Sequence, residues 1–342
     1  MIDTNRQCWV EHTDTAMGGH LASRVVWHEE LSEGQRLATS TLLVMISKRI
    51  QAWAAIATRH HPSQLTRLNA RAGTSVNVGP TIAALLSWAA DAWELSGGLV
   101  NVTMLNERVA AEIGHSGFEE GAIDRSWNLT LRNWRHRDHS HLLGGVLERL
   151  PNAVLDLDGV GKGWIVDRAA ALLERTLDLA VAAKQLPPWS SFFVNGDGDL
   201  AVRNRGGAVT EINVEIPRHE ERRIGTITVS DGARGIATSG TGVHHWGGRH
   251  HLIDPRTGRS AQSGIAQATV VAANAREAEA WAKSIVIGGA GAINRAEAAG
   301  VEQIVVVRDG GEIVSAPALP PLRIRTTFTP SPSTEVFLGA RR

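Results

Sequence analysis

Asp156-Leu157-Asp158-Gly159-Val160-Gly161-Lys162-Gly163-Trp164 is the stretch on which the reading of the chain turns. The apolar residues from Ala153 to Leu157 run into glycines as a strand would, and the periodicity beyond predicts a helix from Trp164 to Leu177. Glycines let a backbone approach an anion, and a helix N-terminus favours negative charge. Two nucleotide-binding arrangements fail on spacing. A P-loop needs Ser or Thr directly after Gly-Lys, where Gly163 stands, and a dinucleotide loop needs G-x-G-x-x-G, where the chain has G-V-G-K-G. Taken alone, the loop reads equally as a structural turn or an anion site.

Outward from it, Thr41 to Ile46 reads as a short strand and Arg49 to Thr58 as one face of a helix. A clearer helix is expected from Thr81 to Leu95, with Thr81 as N-cap and Gly97-Gly98 as its stop. Trp127 to His141 is polar and rich in Arg and His, which suits a surface excursion or hairpin. Downstream, expected strands at Ser191 to Val194, Ile212 to Ile216, Ile224 to Val229, Ala268 to Ala272 and Gln303 to Val307 surround one strong helix, Ala275 to Ile287. Strands clustered in this way indicate an α+β fold over a strictly alternating parallel sheet. Residues 1–316 are expected to form one domain, with room for two subdomains, and 317–342 a Pro/Ser/Thr-rich tail.

The 342 residues carry 35 Lys+Arg against 35 Asp+Glu, so broad electrostatic capture of nucleic acid or an anionic membrane is not expected. Arg132 to His141 is too small a basic segment to change that. Nothing at the start resembles a signal peptide and no apolar run reaches a membrane span, which places the expected location in the cytoplasm. The single cysteine, Cys8, has no partner for an internal disulfide. Only four residues are lysine (Lys48, Lys162, Lys184, Lys283), so a lysine at a site of chemistry is informative.

Three further fragments are weak one by one. Asn195-Gly196-Asp197-Gly198-Asp199 imitates a calcium loop but lacks its glycine and closing glutamate, so a tight turn between strands is the better reading. Thr238-Ser239-Gly240 offers hydroxyls on a flexible backbone. His251 precedes Leu252-Ile253-Asp254-Pro255-Arg256-Thr257-Gly258, a short apolar run entering an Asp-Pro turn, where side chains project into pockets.

In order, these pieces resemble the ApbE family, the FAD:protein FMN transferases, from about Met17 to Gly288. Met17-Gly18 is similar to an early Met-Gly-Thr, with Gly19 in place of threonine. Ser63, Leu65 and Asn69 fall in an S-x-L-S-x-L-N segment, and Asp156, Gly159, Gly161, Lys162, Gly163 and Asp167 in a G-G-I-A-K-G-x-x-x-D segment. Asn195, Gly198 and Asp199 fit an N-x-G-G-D turn with Asp197 at the first paired glycine, Thr238-Ser239-Gly240 is a T-S-G motif, and His251, Asp254 and Thr257 lie in H-I-I-D-P-x-T-G. The resemblance implies an FAD site lined by these residues, with His251 as a weak or vestigial general base. It also implies a magnesium-dependent transfer of FMN to Thr or Ser of a client flavoprotein.

The departures qualify that implication. The family's A-D-a-l-a-T metal segment reads Ala278-Glu279-Ala280-Trp281-Ala282-Lys283, so the metal-holding aspartate and threonine are Glu279 and Lys283. An ammonium cannot ligate magnesium and repels it. No metal ligand is therefore assigned, and the chain resembles the FAD-sequestering branch of the family, with FAD as partner and cofactor. Magnesium enters only under the alternative, an active transferase or FAD pyrophosphatase recruiting it through Glu279, Asp254 or another carboxylate. Glu279 and Lys283, spaced i, i+4, read alternatively as a solvated surface pair. Trp164 and Trp281 are the nominated ring-stacking residues.

Overall fold

Ser32 opens the first helix with a capping box, its hydroxyl accepting the Gln35 amide while the Gln35 side chain accepts the Ser32 amide. From there α1 (Glu33–Ala57) continues unbroken, burying Leu42, Leu43, Ile46, Ile50 and Trp53 at helical spacing. The strand expected at 41–46 is thus the middle of this helix. A six-residue apolar run fits either period, and the cap upstream decides it. The computed structural model describes residues 8–71, 73–114, 129–135, 142–150, 153–215, 223–317, 326–330 and 336–338.

β1 (Trp9–Ala16) and β2 (Gly19–Trp27) precede α1, and α2 (Gln64–Asn69), β3 (Ser75–Val78), α3 (Pro80–Ser96) and α4 (Leu105–Ile113) follow it. Gly79, not Thr81, occupies the N-cap of α3, with Pro80 at the first helical position, and Gly97 stops the helix at φ 65°. β4 (Thr130–Arg135) and β5 (Leu142–Glu148) pair antiparallel, so only the first of these strands falls within the 127–141 where an excursion or hairpin is expected, and β3 completes a three-stranded sheet. His136, His139 and His141 lie outside the described residues. Residues 153–157 pair with no strand. Leu155 is instead held on both backbone sides by the Asn69 amide (2.8 and 2.9 Å), and the Asp156 amide donates to the Val102 carbonyl.

After α5 (Gly161–Ala182) come β6 (Trp189–Gly196), β7 (Asp199–Glu215), β8 (Arg223–Gly240) and the short strands β9 (His245–Trp246), β10 (Arg249–His250), β11 (Ile253–Asp254) and β12 (Arg259–Ser260). β13 (Ile265–Ala272), α6 (Ala275–Gly288), α7 (Ala290–Ala298), β14 (Gln303–Arg308), β15 (Ile313–Pro317), β16 (Thr326–Pro330) and β17 (Val336–Leu338) follow. The large sheet runs β1-β2-β6-β7-β8-β13-β14-β15-β17, with β16 on β8, and among the described residues only β15 and β17 pair in parallel. Part of the stretch after Pro317, expected as a tail, is therefore sheet.

Alternation fills both faces of this sheet. Val270, Ile304 and Val306 pack with α6, whereas Val271, Val305 and Val307 join Val214, Ile227 and Val229 in a second cluster. The outer half of β7 and β8 thus curls over the last strands, beyond a register shift at Asn204/Val209 where Gly206 and Gly207 have positive φ. Helices α1, α3, α5 and α6 cover the first face, and the fold is α+β. No described helix is long and apolar enough to cross a membrane.

Candidate functional site

Two helix N-termini meet where α5 crosses α6. A Cβ placed on Gly163 would stand 2.6 Å from the Ala275 carbonyl oxygen and 2.7 Å from Arg276 Cα, so only glycine permits the approach. Asp167, one turn along α5, accepts the Ala275 and Arg276 amides at 2.9 and 3.0 Å. Its carboxylate therefore caps α6, which is a different engagement from the ligand contact that its motif position suggests. In return Glu279 accepts the Gly163 amide at 3.0 Å. Each helix lends a carboxylate to the other's first turn.

Glu279 is 0% exposed, and its second oxygen accepts Lys283 Nζ at 2.7 Å, with the lysine side chain 13% exposed. The pair is buried, which sets aside the solvated-surface reading. Lys162 reaches from the first turn of α5 to Asp197, 3.1 Å away at the tip between β6 and β7. Burial opposes the Lys162 charge, but Asp199 and Asp197 more than offset it and raise its pKa. Asp199 itself is pushed up to about 7 by burial and then by Glu279, against the pull of Lys283 and Lys162. These five groups behave as one charge cluster. Among the described residues, no three His, Cys, Asp or Glu side chains gather as a metal-holding set.

The Asp199 shift has a sign that can be measured. Its pKa is about 7 in the folded chain against an ordinary 3.8, so its contribution is fully present below about 3.8 and lost as pH rises through 7. His251, lowered to about 3 from 6.5, acts oppositely, its contribution being present above 6.5 and lost as pH falls toward 3. The two oppose each other between about pH 4 and 6.5. Asp199→Asn should therefore make stability climb more steeply with pH across that window, read from urea midpoints; an unchanged slope would refute the assignment.

His251 Nδ1 lies 3.1 Å from the Val243 carbonyl, which makes Nδ1–H the donor and leaves Nε2 as the acceptor. Burial, then Arg108, His244 and Lys283, account for its low pKa. The ring is a neutral acceptor of low basicity, 5.2 Å edge-on from His244, which stacks near Trp246. Its neighbour His250 has the opposite tautomer: Nε2 faces the Ala261 carbonyl at 3.0 Å and Nδ1 accepts the Leu252 amide at 3.3 Å.

Sequence reading missed an ion network at the start of the glycine turn. Arg108 of α4 binds Asp156 at 2.7 Å and Asp158 at 3.2 Å, while Arg59 pairs with Glu112 and lies 3.5 Å from Asp158. Burial and Asp158 raise the Asp156 pKa, and Arg108 and Arg59 pull it down. The i, i+4 spacing of Arg108 and Glu112 was the one available signal.

The remaining nominated residues divide. Gly159 and Gly161 are open, since an added Cβ would meet nothing within 4 Å. Met17 and Gly18 (φ 57° and 82°) form one hairpin tip, and Asp197 and Gly198 (59° and 94°) the next, so both match the positive-φ pair of a type I′ turn. The tips adjoin, because the Asp197 amide donates to the His20 carbonyl at 2.8 Å. Asn195 accepts the Gly198 amide and holds its tip.

Ser63 caps α2, Leu65 is core, and Asn69 ties α2 to residue 155, so these three support the glycine turn from behind. Thr238 hydrogen-bonds Thr269, Ser239 is buried, and Gly240 sits against the Ala266 carbonyl. The Asp254 carboxylate is held by Arg256 and its carbonyl accepts the Thr257 amide, which closes a turn. Trp164 (5% exposed) packs against Trp53 and Arg168, and Trp281 (3%) lies in the core, so both rings are already occupied by packing.

The fold and this cluster define a class: an α+β domain with lysines and carboxylates gathered beside a glycine turn where two helices begin. The sequence model of the ApbE family matches residues 23–305, and the chain belongs to that family. It is 29% identical over 168 residues to the FAD:protein FMN transferase of Escherichia coli (strain K12), covering 47% of this chain and 43% of that protein. The corresponding protein of Treponema pallidum is 28% identical over 250 residues, covering 66% of this chain and 65% of that one. The matches thus span from under half to about two thirds of those curated relatives. In structure, the ApbE protein of Thermotoga maritima aligns with TM-score 0.67 at 20% identity, covering 89% of this chain and 96% of that one. Flavin transferase ApbE from Vibrio cholerae aligns with TM-score 0.65 at 19% identity, covering 96% and 98%, and both show the shared fold.

Proposed function

We propose that the chain binds intact FAD at this site and retains it, with magnesium-dependent FMN transfer slow or absent, in a cytoplasmic setting. The observation that carries the reading is the Glu279 carboxylate, one oxygen on the Gly163 amide and the other on the Lys283 ammonium. Magnesium asks for oxygen donors at about 2.0–2.1 Å in octahedral array. A fixed ammonium on the same carboxylate repels a divalent cation, so the residues present do not fit the metal there. Gly159 and Gly161 leave open space at the turn into α5, and Lys162, itself paired with Asp197, is the ammonium a diphosphate would recruit there, while Lys283 stays on Glu279. A lysine holds such a group as a point charge without matching the bridging geometry that a metal gives phosphoryl transfer.

Membership of the ApbE family favours a second reading, an FAD:protein FMN transferase or FAD pyrophosphatase acting on a client flavoprotein. Of the carboxylates that could recruit magnesium, Asp254 is taken by Arg256. The two readings separate when purified protein is incubated with FAD and magnesium and FMN and AMP are followed by chromatography. Stoichiometric FAD with no AMP is expected, and a gain of AMP release in the Lys283→Thr/Glu279→Asp variant. Rapid magnesium-dependent AMP release by the unaltered chain would overturn the retaining function.

A further inference from the structure

We propose that Asp197 is an internal anion that competes with the ligand's diphosphate for Lys162, and that Gly19 makes the space that lets it do so. The inference rests on reading the cluster as part of an FAD site and concerns what limits affinity there. The Asp197 carboxylate lies over the α-carbon of Gly19: a Cβ at residue 19 would overlap Asp197 Cγ and both of its carboxylate oxygens. From that position Asp197 reaches Lys162 Nζ at 3.1 Å. The backbone at Asp197 is left-handed, φ 59°, as the tight turn between β6 and β7 requires, and it starts the side chain beside Gly19.

Gly19, at the start of β2, and Asp197, at the tip between β6 and β7, are both positions at which the chain departs from the motifs it resembles, threonine having become glycine and glycine aspartate. The contact makes the two residues mutually dependent. A side chain at 19 and a carboxylate at 197 claim the same volume.

The consequence is electrostatic. A phosphate arriving at Lys162 meets an ammonium already neutralised, and a carboxylate that repels it unless it rotates aside. Asp197 is 41% exposed, so water screens the pair and the penalty is modest. Relieving it should tighten binding by up to roughly fivefold. Because a Cβ at 19 meets only the mobile end of the Asp197 side chain, Gly19→Ala should displace the carboxylate while leaving the backbone in place.

The test is FAD affinity, from quenching of flavin fluorescence, in the full chain, Asp197→Asn, Gly19→Ala and the double variant, with thermal melts confirming that all four fold. Both single variants should bind more tightly, Gly19→Ala doing so although it removes no charge. The double variant should gain no more than the better single, since both act through one carboxylate. Weaker or unchanged binding by Asp197→Asn overturns the competition, and full additivity overturns the role of Gly19. If none of the four binds FAD, the reading of the site fails and this inference with it. FAD binding that is equal in all four refutes the inference alone.

Discussion

Gly163→Ala should lower stability by about 3 kcal/mol, the upper end of the usual range for forcing an extra methyl into a packed interior. The atoms that the new Cβ would meet at 2.6 to 2.8 Å belong to the backbone of Ala275 and Arg276, which cannot swing aside as a side chain can. Relief requires α5 and α6 to part, and parting them breaks the Gly163 amide bond to Glu279 and both amide bonds to Asp167. Gly161→Ala, two residues earlier, is the control. Its Cβ enters open space at the first position of α5, where the exchange of glycine for alanine is neutral or favourable by up to about 1 kcal/mol. Urea midpoints of the two variants should move in opposite directions, and equal shifts would show that the helix contact is looser than described.

Lys283→Met should cost about 3–5 kcal/mol at neutral pH, because it leaves the fully buried Glu279 carboxylate with a single amide donor. An apolar side chain of similar length separates the missing charge from missing bulk. Adding Glu279→Gln should recover much of the deficit, since the uncompensated charge then disappears. Denaturant melts at neutral pH on the four corners of this cycle measure the effect. A single variant as stable as the parent would mean that Glu279 finds another counter-charge.

The order of the motifs that the chain shares with the family is enough, on sequence alone, to group Lys162, Asp199 and Lys283, and the structure gathers them in one charge cluster. It is not enough to give Asp167 its engagement. Position five after Lys162 looks like ligand contact until α6 is seen to begin beside it. The fold is legible where a local stop enforces it, as at Gly97, and ambiguous where an apolar run fits either period, as at Thr41 to Ile46. The run at 153–157 has the look of a strand because its leucines are buried, yet its backbone is satisfied by Asn69 and Val102, partners remote in sequence. Arg59 and Arg108 are hidden for the same reason: three separate elements build their network around Asp156 and Asp158.

The buried contact between Glu279 and Lys283 also constrains how such a protein can change. Removing the charge of either residue alone leaves the other charged and buried without its partner, less stable than the intact pair. A change of charge at one position therefore needs a matching change at the other, or stability acquired elsewhere, so the two residues form a single unit of change.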